Sequence, residues 1–429
     1  MFMSESAKPP AVVVHSVSEI GQLAAWVLAM VVAVAVFFQV HVSLLGGLSN
    51  LNLADPFAIL ALAAVSLHAL FAWQLPLWRI SRFNLALGAI SLLLLLGFMR
   101  GWLEIGITQW ALGGRLLGWV VLLGYLSAGY VIVANVGAHG LRRFAETLIA
   151  TATVVVMLQV ALRLLSHWGV DTGAHLTPNF EGYAGNRNAF AFQLLAGMAL
   201  LLGYSQVYAR HNFGLQRPAR PWMFSLLFGI LLAGLVWTSS RAGIIVGVIV
   251  LLLAWFVRLA DRRIVCWGVI SAVLLWASVW LMAQKGLIPG ADIPIQSNLS
   301  DESSNLEHWE TLIHGLEMWR QSPFLGAGLG VFYEKSPMWM GHAQVIHSTP
   351  LWILAEFGLL GGAVCGWVFF LLARYAIRLG KTQPARRMLL LLLVAFAIFG
   401  LVHEIFYQRI FWLVLGALLA QPFAARARA

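Results

Sequence analysis

The sequence predicts an all-α polytopic membrane protein with about twelve transmembrane helices and one large loop on the side away from the cytoplasm. Three observations carry this. Of the 429 residues, 61% are hydrophobic and 10% charged, too little polar surface for a soluble chain of this length. Apolar runs near the roughly 20 residues that cross a bilayer recur along the chain. Lys and Arg alternate between rich and poor connections, loop after loop. In lipid each backbone N–H and C=O needs a partner within the protein, so such runs read as helices. The alternating pattern of an outer-membrane barrel is absent.

The runs lie near 20–40, 57–78, 83–99, 115–137, 144–166, 188–208, 222–238, 242–257, 264–283, 348–373, 387–403 and 405–420. The first is too long for the apolar core of a signal peptide and reads as a retained span. The last two are barely separated, and a re-entrant pair is the alternative. The chain thus divides into helices 1–9 over 1–283, a loop over 284–347, and helices 10–12 with a tail over 348–429. No internal repeat of Pro- or Gly-broken helices of the transporter type stands out.

One set of connections, from Lys8 through Arg142, Arg143 and Arg262 to Arg428, holds 18 of the 27 Lys and Arg; the opposite set holds 8. Positive charge gathers on the cytoplasmic side, so both termini are expected there. The net charge of +10 then reflects topology and attraction to anionic membrane lipids rather than nucleic acid. Cys266 and Cys365 lack a CxxC partner or nearby ligands, which argues against a disulfide framework or zinc site.

The long loop contains a helix of its own, about 305–320. Ser304 and Glu307 have capping-box spacing, and Leu306, Trp309, Ile313 and Leu316 fall at helical intervals. Pro323 and the glycines 326, 328 and 330 end it. The expectation is an amphipathic helix on the membrane surface or over a cavity. Gly326-x-Gly328-x-Gly330 follows no strand and is no dinucleotide fingerprint.

Three helices are expected to start at the outer face with polar N-termini: Asn186-Arg187-Asn188 before span six, Ser239-Ser240-Arg241 before span eight, and His347-Ser348-Thr349-Pro350 before span ten. Thr349 is the expected N-cap, with Pro350 first in the helix. Helix N-termini attract anions, and guanidinium groups grip phosphate through a planar fork. Arg187 and Arg241 are therefore candidate ligands of a lipid phosphate or pyrophosphate, supported by Asn186, Asn188 and Ser240. Arg320, at the end of the loop helix, and Arg163, inside span five, are further candidates. Arg100 and Arg115 read as interface anchors. His347, next to a fixed helix start, has the titration range of a general base. The other outer histidines, His308 and His403 among them, read as solvated polar surface. Glu356, two turns into the helix that His347 precedes, could orient an Arg or a His, or be a structural ion-pair partner. The outer acids lack metal-ligand spacing, so no metal and no cofactor are expected.

Ser239-Ser240-Arg241-Ala242-Gly243, then Pro323-Phe324-Leu325-Gly326-Ala327-Gly328-Leu329-Gly330, then His347-Ser348-Thr349-Pro350-Leu351-Trp352 through Glu356-Phe357-Gly358 resemble, in that order, the O-antigen ligase and polymerase superfamily. The resemblance is strongest over about 180–362. Members commonly show His-Asn where this chain has His347-Ser348. They often carry an Arg before the Trp of the loop helix, where this chain has His308 before Trp309. The resemblance implies a C-type membrane glycosyltransferase of the bacterial inner membrane with a periplasmic site. Its donor would be an O-antigen glycan on undecaprenyl pyrophosphate, its acceptor lipid A–core. A polymerase and a protein oligosaccharyltransferase use the same donor; a flippase for lipid-linked glycans is the rival of another class.

Overall fold

A computed structural model describes residues 19–44, 47–171, 179–210, 221–285, 302–378 and 383–422. The chain is predominantly helical. In order come α1 (Glu19–Ala35), β1 (Gln39–Leu44), β2 (Gly47–Asn52), α2 (Asp55–Ala72), α3 (Phe83–Ile105), a π-wound segment (Trp110–Leu117) running into α4 (Gly118–Val136), and α5 (Ala138–His167). Then follow α6 (Arg187–Arg210), α7 (Pro221–Trp237), α8 (Arg241–Phe256), α9 (Arg262–Gln284), α10 (Glu302–Gln321), the short α11 (Val331–Lys335) and α12 (Pro337–Met340), α13 (Thr349–Arg378), α14 (Pro384–Val402) and α15 (Arg409–Leu419).

Each of the twelve apolar runs falls on a helix. Among the described residues, eight helical segments are long and apolar enough to cross a membrane by length and composition. Three further apolar helices, α7, α8 and α15, are shorter. A multi-pass membrane protein is the architecture that fits. Large side chains on the outside of the bundle, such as Phe71 on α2 and Leu103 on α3, stay exposed, as lipid-facing residues do.

The last run departs from a simple span. It yields only the eleven-residue α15, about 16 Å long at 1.5 Å per residue. Every residue from Ile410 to Leu419 is buried. The helix crosses α4 at a contact made of glycines: a Cβ on Gly129 would strike the Leu413 carbonyl, and one on Gly416 the Leu126 carbonyl. Backbones approach this closely only where side chains are absent.

The hairpin of β1 and β2 is an addition to the all-α expectation. The first run stops being helical at Ala35, and Gln39–Leu44 pairs antiparallel with Gly47–Asn52. Its end is fixed from inside. Asp55 accepts from Tyr125 Oη at 2.8 Å and from the Asn52 amide at 2.8 Å. Arg409 grips the same carboxylate with Nε at 2.9 Å and Nη2 at 3.1 Å. The hairpin, α2, α4 and α15 therefore meet at one buried carboxylate.

α13 is two helices in one. Gly358 has φ 64° and ψ −159°, a left-handed φ at which a side chain would be strained. The glycine-rich segment after α10 lies against this break. Ala327 N donates to Ala355 O at 2.8 Å and Gly328 N to Glu356 O at 3.0 Å. Across the break, Leu359 N donates to Pro323 O at 2.8 Å and Leu360 N to Phe324 O at 3.1 Å. The irregular backbone is thereby satisfied internally, as it must be beside an apolar bundle.

Several sequence readings change in detail. α10 starts at Glu302, so Ser304 lies in its first turn rather than at its cap. α10's apolar stripe remains uncovered, with Leu306, Trp309 and Ile313 exposed, while Thr311 and Met318 are buried on the other side. Arg115 is no interface anchor. It is buried, paired with Glu404 at 2.8 Å, and packed on the rings of Trp110, Tyr407 and Trp352 at 4.6, 4.6 and 5.2 Å. Arg100 donates to Ser322 Oγ at 2.9 Å, tying α3 to the end of α10. Lys8, Ser304's side chain, Arg428 and the stretch 286–301 lie outside what the structure describes.

Candidate active site

The starts of α6, α8 and α13 come together at one end of the bundle. Each start is shaped by its own polar residues. Asn186 Oδ1 accepts the amides of Asn188 at 2.7 Å and Ala189 at 3.3 Å, which caps α6. Ser240 Oγ accepts from Gly243 N at 3.1 Å and caps α8. The same hydroxyl donates to Asn188 Oδ1 at 2.7 Å and ties the two starts together. The turn before it is tight: Ser239 has φ 54°, and Thr238 Oγ1 accepts from Ser240 N at 3.2 Å.

The start of α13 differs from the expectation by one residue. Ser348, not Thr349, caps it, through Oγ accepting from Leu351 N at 3.4 Å. Thr349 is the first helical residue and Pro350 the second. The Thr349 hydroxyl is used instead to hold the connection after α14. It donates to His403 O at 2.9 Å and accepts from Ile405 N at 2.9 Å. His347 and His403 are thus positioned by one threonine.

Three histidines cluster at this junction. The His308 ring, on α10, stacks on His347 with centroids 4.0 Å apart and planes 27° from parallel. His403 stands edge-on to both, at 5.4 and 6.3 Å. Burial holds the His347 imidazole down to about 4, with His308 beside it adding to the effect. Burial also lowers His403 to about 3, reinforced by His308, His347, Arg187 and Arg241. His308 is lowered by burial and then by Arg241 and Arg187, with Glu307 opposing. All three rings are neutral near pH 7 and able to accept a proton.

Arg187 and Arg241 are the first helical residues of α6 and α8. Both are half-buried and have no hydrogen-bond or ion-pair partner among the described residues. Two guanidinium groups with no ion-pair partner among the described residues, at two helix N-termini, form a candidate anion site. Arg241 lies near enough to lower His308 and His403. A cavity of about 440 Å³ opens beside Arg187, lined by Glu181, Asn186, Glu307, His308 and His347 among others. Its floor is the connection before α6, which is well anchored. Gly182 N donates to Gln159 Oε1 at 3.0 Å, and Gln39 N donates to Tyr183 O at 2.8 Å.

The other sequence candidates lie apart from the cavity wall. Arg163 Nη2 donates to Asn179 O at 2.6 Å, so it holds the connection from beneath. Arg320 is exposed at the far end of α10, about 18 Å from His308 at 1.5 Å per residue. Glu356 is buried in the core, accepting from Trp352 Nε1 at 2.8 Å. It faces Arg115 rather than the cavity.

His308 and His403 are the members that sequence reasoning treated as surface. The resemblance expects an Arg before Trp309; taking that Arg as missing, with Arg320 in its stead, passed over His308, which occupies the position. For His403 the only signal was its place in the short connection between the last two runs.

The ring nitrogens of the three histidines lie within 4.8 Å of one another and could in principle take a metal. His308 and His347 are stacked face to face, planes 27° apart, so the in-plane lone pairs of their nitrogens run side by side and do not converge on one ion as tetrahedral zinc ligands do. With two guanidinium charges alongside, the arrangement suits an anion better than a cation.

A second, apolar cavity of about 410 Å³ begins at Thr349 and Pro350. It follows α13 past Ile353 and Phe369 to Leu372, against Phe396 of α14 and Phe411 of α15. A polar cavity reaching His347 and an apolar one starting at Thr349 therefore meet at the start of α13.

Residues 226–366 match the family model described as O-antigen ligase. The match runs from α7 to the middle of α13 and includes Arg241, His308, His347 and Glu356. No curated protein matches the chain.

Proposed function

We propose that this chain, with its O-antigen ligase domain, moves an O-antigen glycan from undecaprenyl pyrophosphate to a sugar hydroxyl of lipid A–core, at the periplasmic face of the inner membrane and without a metal. The observation that carries the reading is Arg187 in one cavity with neutral His347, with Arg241 close enough to act on His308 and His403. The pyrophosphate sits on the two guanidinium groups and the two helix N-termini. His347 takes the proton of the acceptor hydroxyl. The hydroxyl oxygen bonds to the anomeric carbon as the bond from that carbon to the pyrophosphate oxygen breaks on the opposite face, so configuration inverts. Charge developing on the leaving pyrophosphate is met by groups already in place. The apolar groove along α13 has the composition and position for the polyprenyl tail.

A polymerase would share every one of these features and differ in its acceptor, so the product distinguishes the two. Purified protein in detergent, given lipid-linked donor and lipid A–core, is expected to release undecaprenyl pyrophosphate and lengthen the core. Lengthened lipid-linked glycan instead would assign a polymerase, and glycoprotein an oligosaccharyltransferase. No bond cleavage with any acceptor would leave a flippase as the better reading, since transport has no meaning without a membrane.

The arginines can be separated by role in the same assay. Arg241→Lys keeps the charge but loses the planar fork, and transfer is expected to fall at least about tenfold, as for one lost charge-assisted hydrogen bond of roughly 1.5 kcal/mol. Arg262→Lys, at the other end of the bundle, is expected to leave the rate unchanged. Equal tolerance of the two substitutions would remove Arg241 from the pyrophosphate site.

A further inference from the structure

α10 borders a third cavity, away from the histidines. It measures about 290 Å³ and is bounded by α10, the end of α3 and the segment 327–339. We propose that it is a saccharide subsite that holds sugar units of a substrate glycan remote from the reacting bond. The inference rests on the transferase reading above and adds where the glycan lies.

Placement is the first argument. Glu307, His314 and Gln321 recur every seven residues, and seven residues bring a helix back to nearly the same face. Glu307 lines the transfer cavity, while His314 and Gln321 line the third one. The two cavities therefore lie in succession along one stripe of α10. Measured from His308, the third begins about 9 Å along the helix and ends about 20 Å along it, at 1.5 Å per residue. The connection after α11 covers both, with Trp339 at the third cavity and Gln344 at the first. An extended glycan anchored by its pyrophosphate can follow this stripe.

Chemistry is the second argument. The Trp339 ring is 41% exposed and lies parallel to His314, centroids 4.9 Å apart and planes 12° apart. Flat aromatic surface of this kind accepts the C–H face of a pyranose. Around it stand groups that suit vicinal hydroxyls: Glu317, whose carboxylate accepts from Gln321 Nε2 at 3.2 Å, and Arg100, whose guanidinium reaches Ser322. The charges are internally balanced. Lys335 Nζ is 2.7 Å from Glu104 Oε1, and Arg100 lies near the same carboxylate. A site for phosphate would leave its cations without ion-pair partners, as is the case for Arg187 and Arg241 among the described residues. This one presents neutral polarity and an aromatic platform, which selects an uncharged saccharide.

The test uses full-length protein in detergent and two kinds of variant. Glu317→Ala and Gln321→Ala alter exposed polar groups. Each is expected to raise KM for one glycan substrate about tenfold, as for the loss of roughly 1.4 kcal/mol of hydrogen bonding, with kcat at saturation unchanged. A rise confined to the donor assigns the subsite to the transferred glycan; a rise confined to the acceptor assigns it to the core sugars. Trp339→Ala is read by direct titration with free oligosaccharide cut from donor and from core, in the His347→Ala background. Wild-type-like KM values for both substrates, together with undiminished oligosaccharide binding by Trp339→Ala, would overturn the subsite. Absence of transfer by the unmodified protein would sink the transferase reading instead, while the oligosaccharide titration would still decide whether the cavity binds sugar.

Discussion

His347→Ala is expected to lower glycan transfer about 10²- to 10⁴-fold, the range for loss of a positioned general base, while donor binding persists. His347 is the ring that immediately precedes α13 and lines the cavity with Arg187. Burial and the neighbouring His308 hold its imidazole near 4, so it is already the proton acceptor across the physiological range. The rate should therefore stay level as pH falls from 7 to about 5 and decline as pH approaches 4. A decline centred near 6.5, the ordinary histidine value, would assign the base to a solvated residue. The same depressed values act on stability. Between the unfolded value near 6.5 and the folded values, the unfolded chain binds more protons. Stability should thus be complete above pH 7 and fall as pH drops through that window. His139→Ala, at the opposite end of α5, is the control.

Arg115→Ala should be the most destabilising of the single changes considered. The side chain is 4% exposed and its partner Glu404 10%. Removing one member of a buried pair leaves the other charge unpaired, which costs roughly 3–5 kcal/mol. The loss also spreads to the site. Glu404 follows His403, accepts from Phe406 N at 3.2 Å, and Tyr407 Oη donates to Arg115 O at 3.1 Å. Without Arg115 the turn that presents His403 loses its inner support. A melting temperature in detergent well below wild type is expected, and Arg115→Met with Glu404→Leu should recover part of the loss. An unchanged melting temperature for the single variant would show that the pair contributes little.

Helices were legible from the sequence because lipid imposes one strong requirement, long apolar runs, and each run holds a helix, although the first gives way to β1 after Ala35. That the starts of α6 and α8 carry polar caps beside Arg187 and Arg241 was legible too, because short polar turns between apolar runs mark helix N-termini; the anion they would hold is part of the proposal. Other features depend on contacts between distant parts of the chain. Arg115 resembles an interface anchor until Glu404, 289 positions later, is seen beside it. His308 and His403 look like surface residues until Thr349 and the stacking of α10 bring them onto His347. The hairpin was missed because its strands interrupt no strong pattern; Gln39–Asn52 gains its shape from Asp55, Tyr125 and Arg409.

The interrupted helix α13 has a further consequence, for the route by which substrates reach the cavity. Lifting the segment 323–328 would strip the partners from four backbone groups around Gly358 at once, amid apolar surroundings where each unmet group costs several kcal/mol. That wall is immovable on the scale of a catalytic cycle. α10 joins it through Ser322 and Pro323 and is pinned again further back, where Thr311 Oγ1 accepts from His347 N at 3.5 Å and the His308 ring stacks on His347. Only its outer face, with Leu306, Trp309 and Ile313, is left exposed. A helix held at both ends, with Glu307 and His308 in the cavity wall, is a fixed side of the site, so a route for donor and acceptor runs around α10 and not beneath it.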